Sequence, residues 1–320
     1  MQRKFIVALV ALVWSCAGVL ADTYPSRPVR VIIPAGAGSA VDVIPRIVFD
    51  ELSARLGQPV IVENRAGGGT IIGTGAVAKA DPDGYTILAN STAHAVTPAM
   101  YSNLTFDTVA DFVAIGALGS LPNVLVIAPS KGINTLAEFV AAAKAKPGSF
   151  NFVSLGVGSA VHMSAERFRT AAGYEAQQIP FKGGSEALTE VMTGRVDYYF
   201  CPIATALPHI QAGKLRALAV SSPTRSSLLP DVPTTLESGY PDSDFTFWLG
   251  AFVPAKTPKE IVDKLNREIT AAVASPAVKE KFAAMGVEPM AMTPAAFEAY
   301  VKDEIARYAA FAKATGLKGN

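Results

Sequence analysis

The sequence predicts an α/β protein of two lobes with a cleft between them. Three observations lead there. Short β-branched runs alternate with amphipathic helical patterns over most of the chain. The last third has helices without strands, so it must cover a domain already built. Two extended segments, 121–129 and 245–254, are placed to carry the chain out of the first lobe and back.

Composition sets the outer bounds. The chain has 320 residues, 50% of them hydrophobic and 17% charged, too apolar for disorder and long enough for two globular units. Lys+Arg 28 against Asp+Glu 27 gives a formal charge of +1, with no basic block. Phosphate backbones are held by clustered Lys and Arg, so no nucleic-acid partner is expected. Two cysteines exclude a disulfide framework and a Cys-ligated zinc site, and three histidines leave little for metal chemistry. No cofactor or metal is expected.

The N-terminus reads as a secretory signal. Arg3 and Lys4 precede an apolar run from Phe5 to Leu20, closed by Val19-Leu20-Ala21. Cleavage is expected after Ala21, so residues 1–21 are the signal peptide. The run is short for a membrane span. Cys16 could mark a lipoprotein, but Trp14 two residues earlier fits that processing poorly. Cleavage leaves Cys201 as the sole cysteine and Trp248 as the sole tryptophan. An exported chain without disulfides suits a bacterial periplasm.

The first strand is Arg30 to Ile33. Ile44, Ile47, Val48, Leu52 and Leu56 then form a helical stripe. Further strands are expected at Val60–Glu63, Tyr85–Leu88, Val124–Ile127, Asn151–Ser154, Val196–Phe200 and Leu215–Val220. Leu136, Phe139, Val140 and Ala143 mark another helix. Such alternation argues for parallel sheets. Thr257-Pro258-Lys259-Glu260 reads as a capping box with proline at the first helical position. Ser275-Pro276 and Thr293-Pro294 start two more helices. The expected lobes are 22–124 with 246–320, and 125–245. Two antiparallel crossover strands between them make a hinge.

Glycine-rich turns between strand and helix are the candidate sites. The first is Ala35-Gly36-Ala37-Gly38-Ser39, leading to Asp42. Helix N-termini offer unpaired N–H groups and the positive end of a dipole, so such a turn can hold an anion. An ordinary turn capped by Ser39 or Asp42 is the alternative. It is no dinucleotide fingerprint, because Val41 stands where the third glycine belongs. Gly67 to Lys79 is no phosphate loop either, since Ala78 and Ala80 flank the lysine, and a tight turn opening a helix is expected.

Ser154, Gly156, Gly158 and Ser159 repeat the strand–turn–helix logic. His162 follows and is expected to be a buried structural residue. Ser91, Thr92, Ala93 and His94 follow a buried strand, where polar groups need partners or a ligand cleft. Lys182, Gly183 and Gly184 form a fourth turn, whose lysine is either solvated or set to meet a carboxylate. No Gly-x-Ser-x-Gly elbow and no His-Glu-x-x-His occurs, so no catalytic residue is assigned.

Several strings together resemble one family. Tyr24-Pro25-Ser26-Arg27-Pro28-Val29-Arg30, Leu56-Gly57-Gln58-Pro59-Val60-Ile61-Val62-Glu63-Asn64-Arg65 and Ala80-Asp81-Pro82-Asp83-Gly84-Tyr85-Thr86 are similar to the Bug-type receptors. These are the extracytoplasmic solute-binding proteins of tripartite tricarboxylate transporters. Pro180-Phe181-Lys182-Gly183-Gly184, Ala206-Leu207-Pro208-His209-Ile210, Ala212-Gly213-Lys214-Leu215-Arg216-Ala217-Leu218-Ala219 and Leu229-Pro230-Asp231-Val232-Pro233-Thr234 extend the likeness from Tyr24 toward the C-terminus.

The resemblance implies a type II periplasmic binding fold. It implies a monomer that closes on a small organic carboxylate and delivers it to membrane permease subunits. The family's ligand loops map onto Ala35–Asp42 in one lobe and Ser154–Ser159 in the other, with Lys182-Gly183-Gly184, Cys201 to Thr205 and Ser91 to His94 nearby. The chain departs from the family at Ala35, where an aromatic is common, and at Ser39-Ala40-Val41, where a Gly-Gly pair is common. It departs again at Cys201, where an Asp is common. Loss of that acid removes a partner for an ammonium group and favours a simple or aromatic carboxylate over an amino acid. Two other readings stay open: a secreted enzyme using a Ser/His pair in the same cleft, and a ligand-sensing receptor for a membrane signalling partner.

Overall fold

The computed structural model describes residues 24–181 and 183–318. The expected signal peptide, Cys16 and Lys182 lie outside them. Strand β1 (Val29–Ile33) buries every residue but Arg30. Helix α1 (Ala40–Leu56) buries Ile44, Val48, Phe49 and Leu52 and ends on Gly57, whose φ of 66° closes the last turn. Then follow β2 (Val60–Asn64), α2 (Ile71–Ala78), β3 (Thr86–Ser91), α3 (Ala93–Met100) and β4 (Phe112–Leu121).

Past Pro122 the chain builds a second unit. It runs β5 (Asn123–Ile127), α4 (Leu136–Ala145), β6 (Phe150–Ser154), α5 (Ala160–Ala172), β7 (Ala176–Pro180), α6 (Gly184–Met192), β8 (Tyr199–Pro202), α7 (Ile203–Gln211) and β9 (Arg216–Val220). Beyond Thr246 it returns with β10 (Phe247–Pro254), α8 (Lys259–Ala274), α9 (Pro276–Met285), β11 (Glu288–Pro289) and α10 (Pro294–Thr315).

The first lobe holds one sheet in the order β11-β4-β10-β3-β1-β2, and the second holds β8-β5-β9 and β6-β7. The expectation of parallel sheets holds only for β1 with β2 and β3, and for β6 with β7. Strand β10 runs antiparallel to β3 and β4, and β5 antiparallel to β8 and β9. The cause is the crossing itself: a strand arriving from the other lobe enters the sheet from the opposite end.

The two crossings lie side by side. Phe247 pairs with Leu121 in the first sheet. On the other side the Phe245 N–H donates to the Ser221 carbonyl, and the Ser221 N–H to the Asn123 carbonyl, both at 2.8 Å. Behind them Arg167 of α5 and Arg307 of α10 approach the same Asp244 carboxylate at 3.5 and 2.5 Å. That shared acid ties the C-terminal helix of one lobe to the second lobe.

Two expectations for the C-terminal third change. Ser275 and Thr293 do cap their helices, accepting the N–H of Val278 at 3.3 Å and of Ala296 at 3.2 Å. Thr257 does not. Its hydroxyl donates to the Pro254 carbonyl at 2.7 Å, so the capping box is not formed and Pro258 precedes the helix. The short β11 also interrupts what was expected to be an all-helical stretch. No described helix is long and apolar enough to cross a membrane.

The helices sit very close on the first sheet. A Cβ on Gly250 of β10 would lie 2.3 Å from the Phe297 ring of α10, and one on Gly116 of β4 would lie 3.0 Å from Ile269 of α8. Gly250→Ala should therefore destabilise the fold by about 1–3 kcal/mol through overpacking. Urea unfolding measures this, and an unchanged midpoint contradicts the packing described.

Candidate functional site

The ends of β1, β3 and β6 open on one cleft of about 790 Å³ between the lobes. One wall is the turn 34–41 with Gly67, Gly69, Thr70 and the Ser91–Tyr101 region. The other is 155–161 with Gly183, Gly184 and Pro202, and Phe247 lies at the crossing. None of the described lining residues is charged.

Buried polar groups hold the first loop from behind. The Asp42 carboxylate, 3% exposed, accepts the Gly38 N–H at 2.8 Å, Arg46 Nε at 2.7 Å and Asn64 Nδ2 at 2.9 Å. Asn64 also donates to the Ala35 carbonyl at 3.0 Å. Burial alone would push this carboxyl up; the Gly38 amide, Asn64 and Arg46 outweigh it and hold the group below the ordinary carboxylate range. Asp42 thus stays ionised, matched by Arg46, and braces the loop rather than facing the cleft. The Ser39 hydroxyl donates to the Gly36 carbonyl at 2.8 Å and caps nothing. In the first turn of α1 the Asp42 N–H donates to the Ser39 carbonyl at 2.9 Å, which leaves the Ala40 and Val41 amides with neither a main-chain partner nor a side-chain cap.

The second loop is braced in the same manner. Ser154 Oγ accepts the Gly156 N–H at 3.2 Å and Gln178 Nε2 at 2.9 Å. His162 Nδ1 accepts the Gly158 N–H at 3.2 Å, which places the neutral ring's proton on Nε2. Burial dominates in lowering the His162 pKa. Ser159 Oγ accepts the His162 N–H at 3.4 Å as a long N-cap. Gly156 and Gly158 carry φ of 113° and 79°, which the turn requires.

The structure thus brings together Ala35, Gly36, Ala37, Gly38, Ser39, Ser91, Ala93, Gly156, Gly158, Ser159, Gly183 and Gly184 on the cleft wall. Of the other described candidates, Asp42, Thr92, His94, Ser154, Cys201 and Thr205, it places none on that wall. Asp42 and Ser154 lie behind their loops. Thr92 accepts the Trp248 N–H at 3.0 Å and donates to the Thr246 carbonyl at 3.2 Å, fastening β3 to the returning strand. His94 is 1% exposed, stacked on Phe252 with centroids 4.2 Å apart, with Nε2 3.1 Å from the Thr108 carbonyl. Cys201 is a free, fully buried thiol in β8, and burial raises its pKa. Thr205 is exposed on α7 and lies off the described wall.

Sequence reasoning missed Thr70, Val96, Thr97, Met100, Tyr101 and Phe247 on the wall. The Gly67–Gly69 run was the available signal for Thr70. The α3 residues carry none, because an apolar helix face looks alike whether it meets a core or a cleft. Among the described residues no group of three or more His, Cys, Asp or Glu is placed to hold a metal.

The buried histidine makes stability depend on pH. Burial lowers His94 from the ordinary 6.5 to about 4. Below 6.5 the unfolded chain takes up a proton that the folded chain refuses. The contribution is therefore complete above pH 6.5 and is lost as pH falls toward 4, about 3 kcal/mol across that window. The urea midpoint should fall between pH 7.5 and 4.5, and should fall less in His94→Gln. An equal fall in the variant contradicts the assignment.

Comparison with known proteins gives a consistent result. The model of the tripartite tricarboxylate transporter family receptor matches residues 44–317. Protein BugT of Bordetella pertussis is 37% identical over 324 residues, covering 99% of each chain. An R. palustris protein solved with adipate superposes with a TM-score of 0.83 at 30% identity, covering 93% of this chain and 100% of that one. MatC from Rhodopseudomonas palustris, solved with bound malate, gives 0.79 at 28% identity, covering 90% and 99%. The likeness spans both lobes and both crossings, and this chain belongs to the tripartite tricarboxylate transporter receptor family.

Proposed function

We propose that the chain captures a small organic carboxylate in the periplasm and presents it to the membrane permease subunits of a tripartite tricarboxylate transporter. One observation carries the reading: helix N-termini from both lobes, α1 and α2 on one side and α5 and α6 on the other, meet at a single cleft whose described wall has no charged side chain. Amide donors need no cation, and charge-assisted hydrogen bonds contribute roughly 1.5–3 kcal/mol each. Three or four offset the hydration a carboxylate loses. The adipate and malate recorded for the two R. palustris proteins support the same ligand class.

In this proposal residues 22–124 with 246–320, and residues 125–245, are the rigid units that close. The chain is exported, cleaved after Ala21, and works as a monomer. Its ligand leaves chemically unchanged. His94 and His162, the histidines nearest the loops in sequence, are buried as packing and bracing residues, which favours capture over Ser/His catalysis.

A thermal-shift screen of monocarboxylates, dicarboxylates, aromatic acids and amino acids tests the reading. A carboxylate at a hundredfold excess over its dissociation constant should stabilise the protein by about 2.7 kcal/mol. Recovered ligand should be unaltered by mass spectrometry. Turnover, or a shift given only by uncharged solutes, would count against the reading. Ser159→Ala should weaken the carboxylate by roughly 1–2 kcal/mol. Its unfolding midpoint, read alongside, separates that loss from the loss of the long N-cap.

A further inference from the structure

Six hydroxyl-bearing side chains line the described cleft. Four are tied to backbone. Ser39 donates to the Gly36 carbonyl at 2.8 Å and Thr97 to the Ala93 carbonyl at 2.6 Å. Ser91 accepts the Ala93 N–H at 3.3 Å, and Ser159 the His162 N–H at 3.4 Å. Thr70 and Tyr101 make no such bond among the described residues.

Thr70 is also the strained residue of the cleft. Gly67, Gly68, Gly69 and Thr70 follow one another with φ of 133°, 57°, 63° and 83°. Glycine takes these angles freely, whereas a β-branched residue is an outlier there. Neither local structure nor helix formation explains a threonine at this position. It precedes α2 as the N-cap yet makes no side-chain cap bond, because a cap needs an extended backbone. The glycine before it packs close on the same wall, since a Cβ on Gly69 would lie 2.7 Å from the Tyr101 hydroxyl. A costly conformation that places an untied hydroxyl on a ligand wall marks a site of function.

We infer that Thr70 contacts the ligand and selects for a hydrogen-bonding substituent on the carbon chain between or beside its carboxylates. The main-chain amides of the other loops hold carboxylate oxygens of any such ligand alike. Thr70 Oγ1, free to donate or accept, distinguishes a hydroxylated ligand from its plain counterpart. This inference rests on the carboxylate reading of the cleft.

The test is calorimetry with two matched pairs, malate against succinate and 3-hydroxyadipate against adipate. Thr70→Val keeps volume, branching and backbone cost and removes only the hydroxyl. The native chain should prefer the hydroxylated member of the pair it binds, and Thr70→Val should lose that preference by about fivefold or more while melting as the native chain does. Thr70→Ser should retain it. Thr70→Gly should lose it while melting no lower than the native chain, since glycine removes the strain. A ratio unchanged in Thr70→Val, or no preference in the native chain, overturns the role of Thr70 alone. Binding of none of the four acids, while the thermal-shift screen finds another carboxylate, overturns this inference alone; binding of no carboxylate in that screen overturns the carboxylate reading and this inference with it.

Discussion

Everything at the cleft depends on buried polar groups that hold two glycine-rich turns from behind. Asp42, Arg46 and Asn64 fasten the turn before α1, and Ser154, Gln178 and His162 fasten the turn before α5. Without them the loop amides would be free to turn toward water or toward each other. With them the Gly38, Gly156 and Gly158 amides are taken up by the braces, and the turns are fixed before any ligand arrives, with the unpartnered amides of Ala40, Val41, Ala160 and Val161 on residues of the cleft wall. Pre-oriented donors cost little further ordering on binding, which is how uncharged walls can hold an anion.

The same logic explains why the site lies between the lobes. Each sheet offers helix N-termini at the ends of its strands, and neither can surround a ligand alone. The crossings at Pro122 and Thr246 set the two faces opposite each other. Thr92, through Trp248 and Thr246, welds the end of β3 to the returning strand. Asp244, shared by Arg167 and Arg307, links the lobes on the side away from the cleft. Helix α5 begins at the cleft with Ser159 as its N-cap and carries Arg167 two turns on, so one rigid helix connects ligand loop and hinge.

Much of this was legible in the sequence because it depends on local pattern. The helical stripe from Ile44 to Leu56, the caps at Ser275 and Thr293 and the glycine turns at 35–39 and 154–159 all follow from spacing and residue type. Strand β4 was not legible, since Gly116 and Gly119 break its apolar run; both glycines are needed for packing that only the tertiary structure reveals. Strand β7 was missed because Gln177 and Gln178 sit on an exposed edge. Asp42 and His94 were recognised as polar residues in notable places, but sequence alone does not tell a brace from a contact. The strain at Thr70 was invisible, because φ is not written in residue identity for anything but glycine and proline.

The most direct test of the account is a crystal structure of the chain with its carboxylate bound. The account predicts carboxylate oxygens within hydrogen-bonding distance of main-chain N–H groups in 36–41 and 156–161, with Asp42 and His162 still holding their loops. A carboxylate paired instead with an Arg or Lys side chain, or seated outside the cleft, would contradict it.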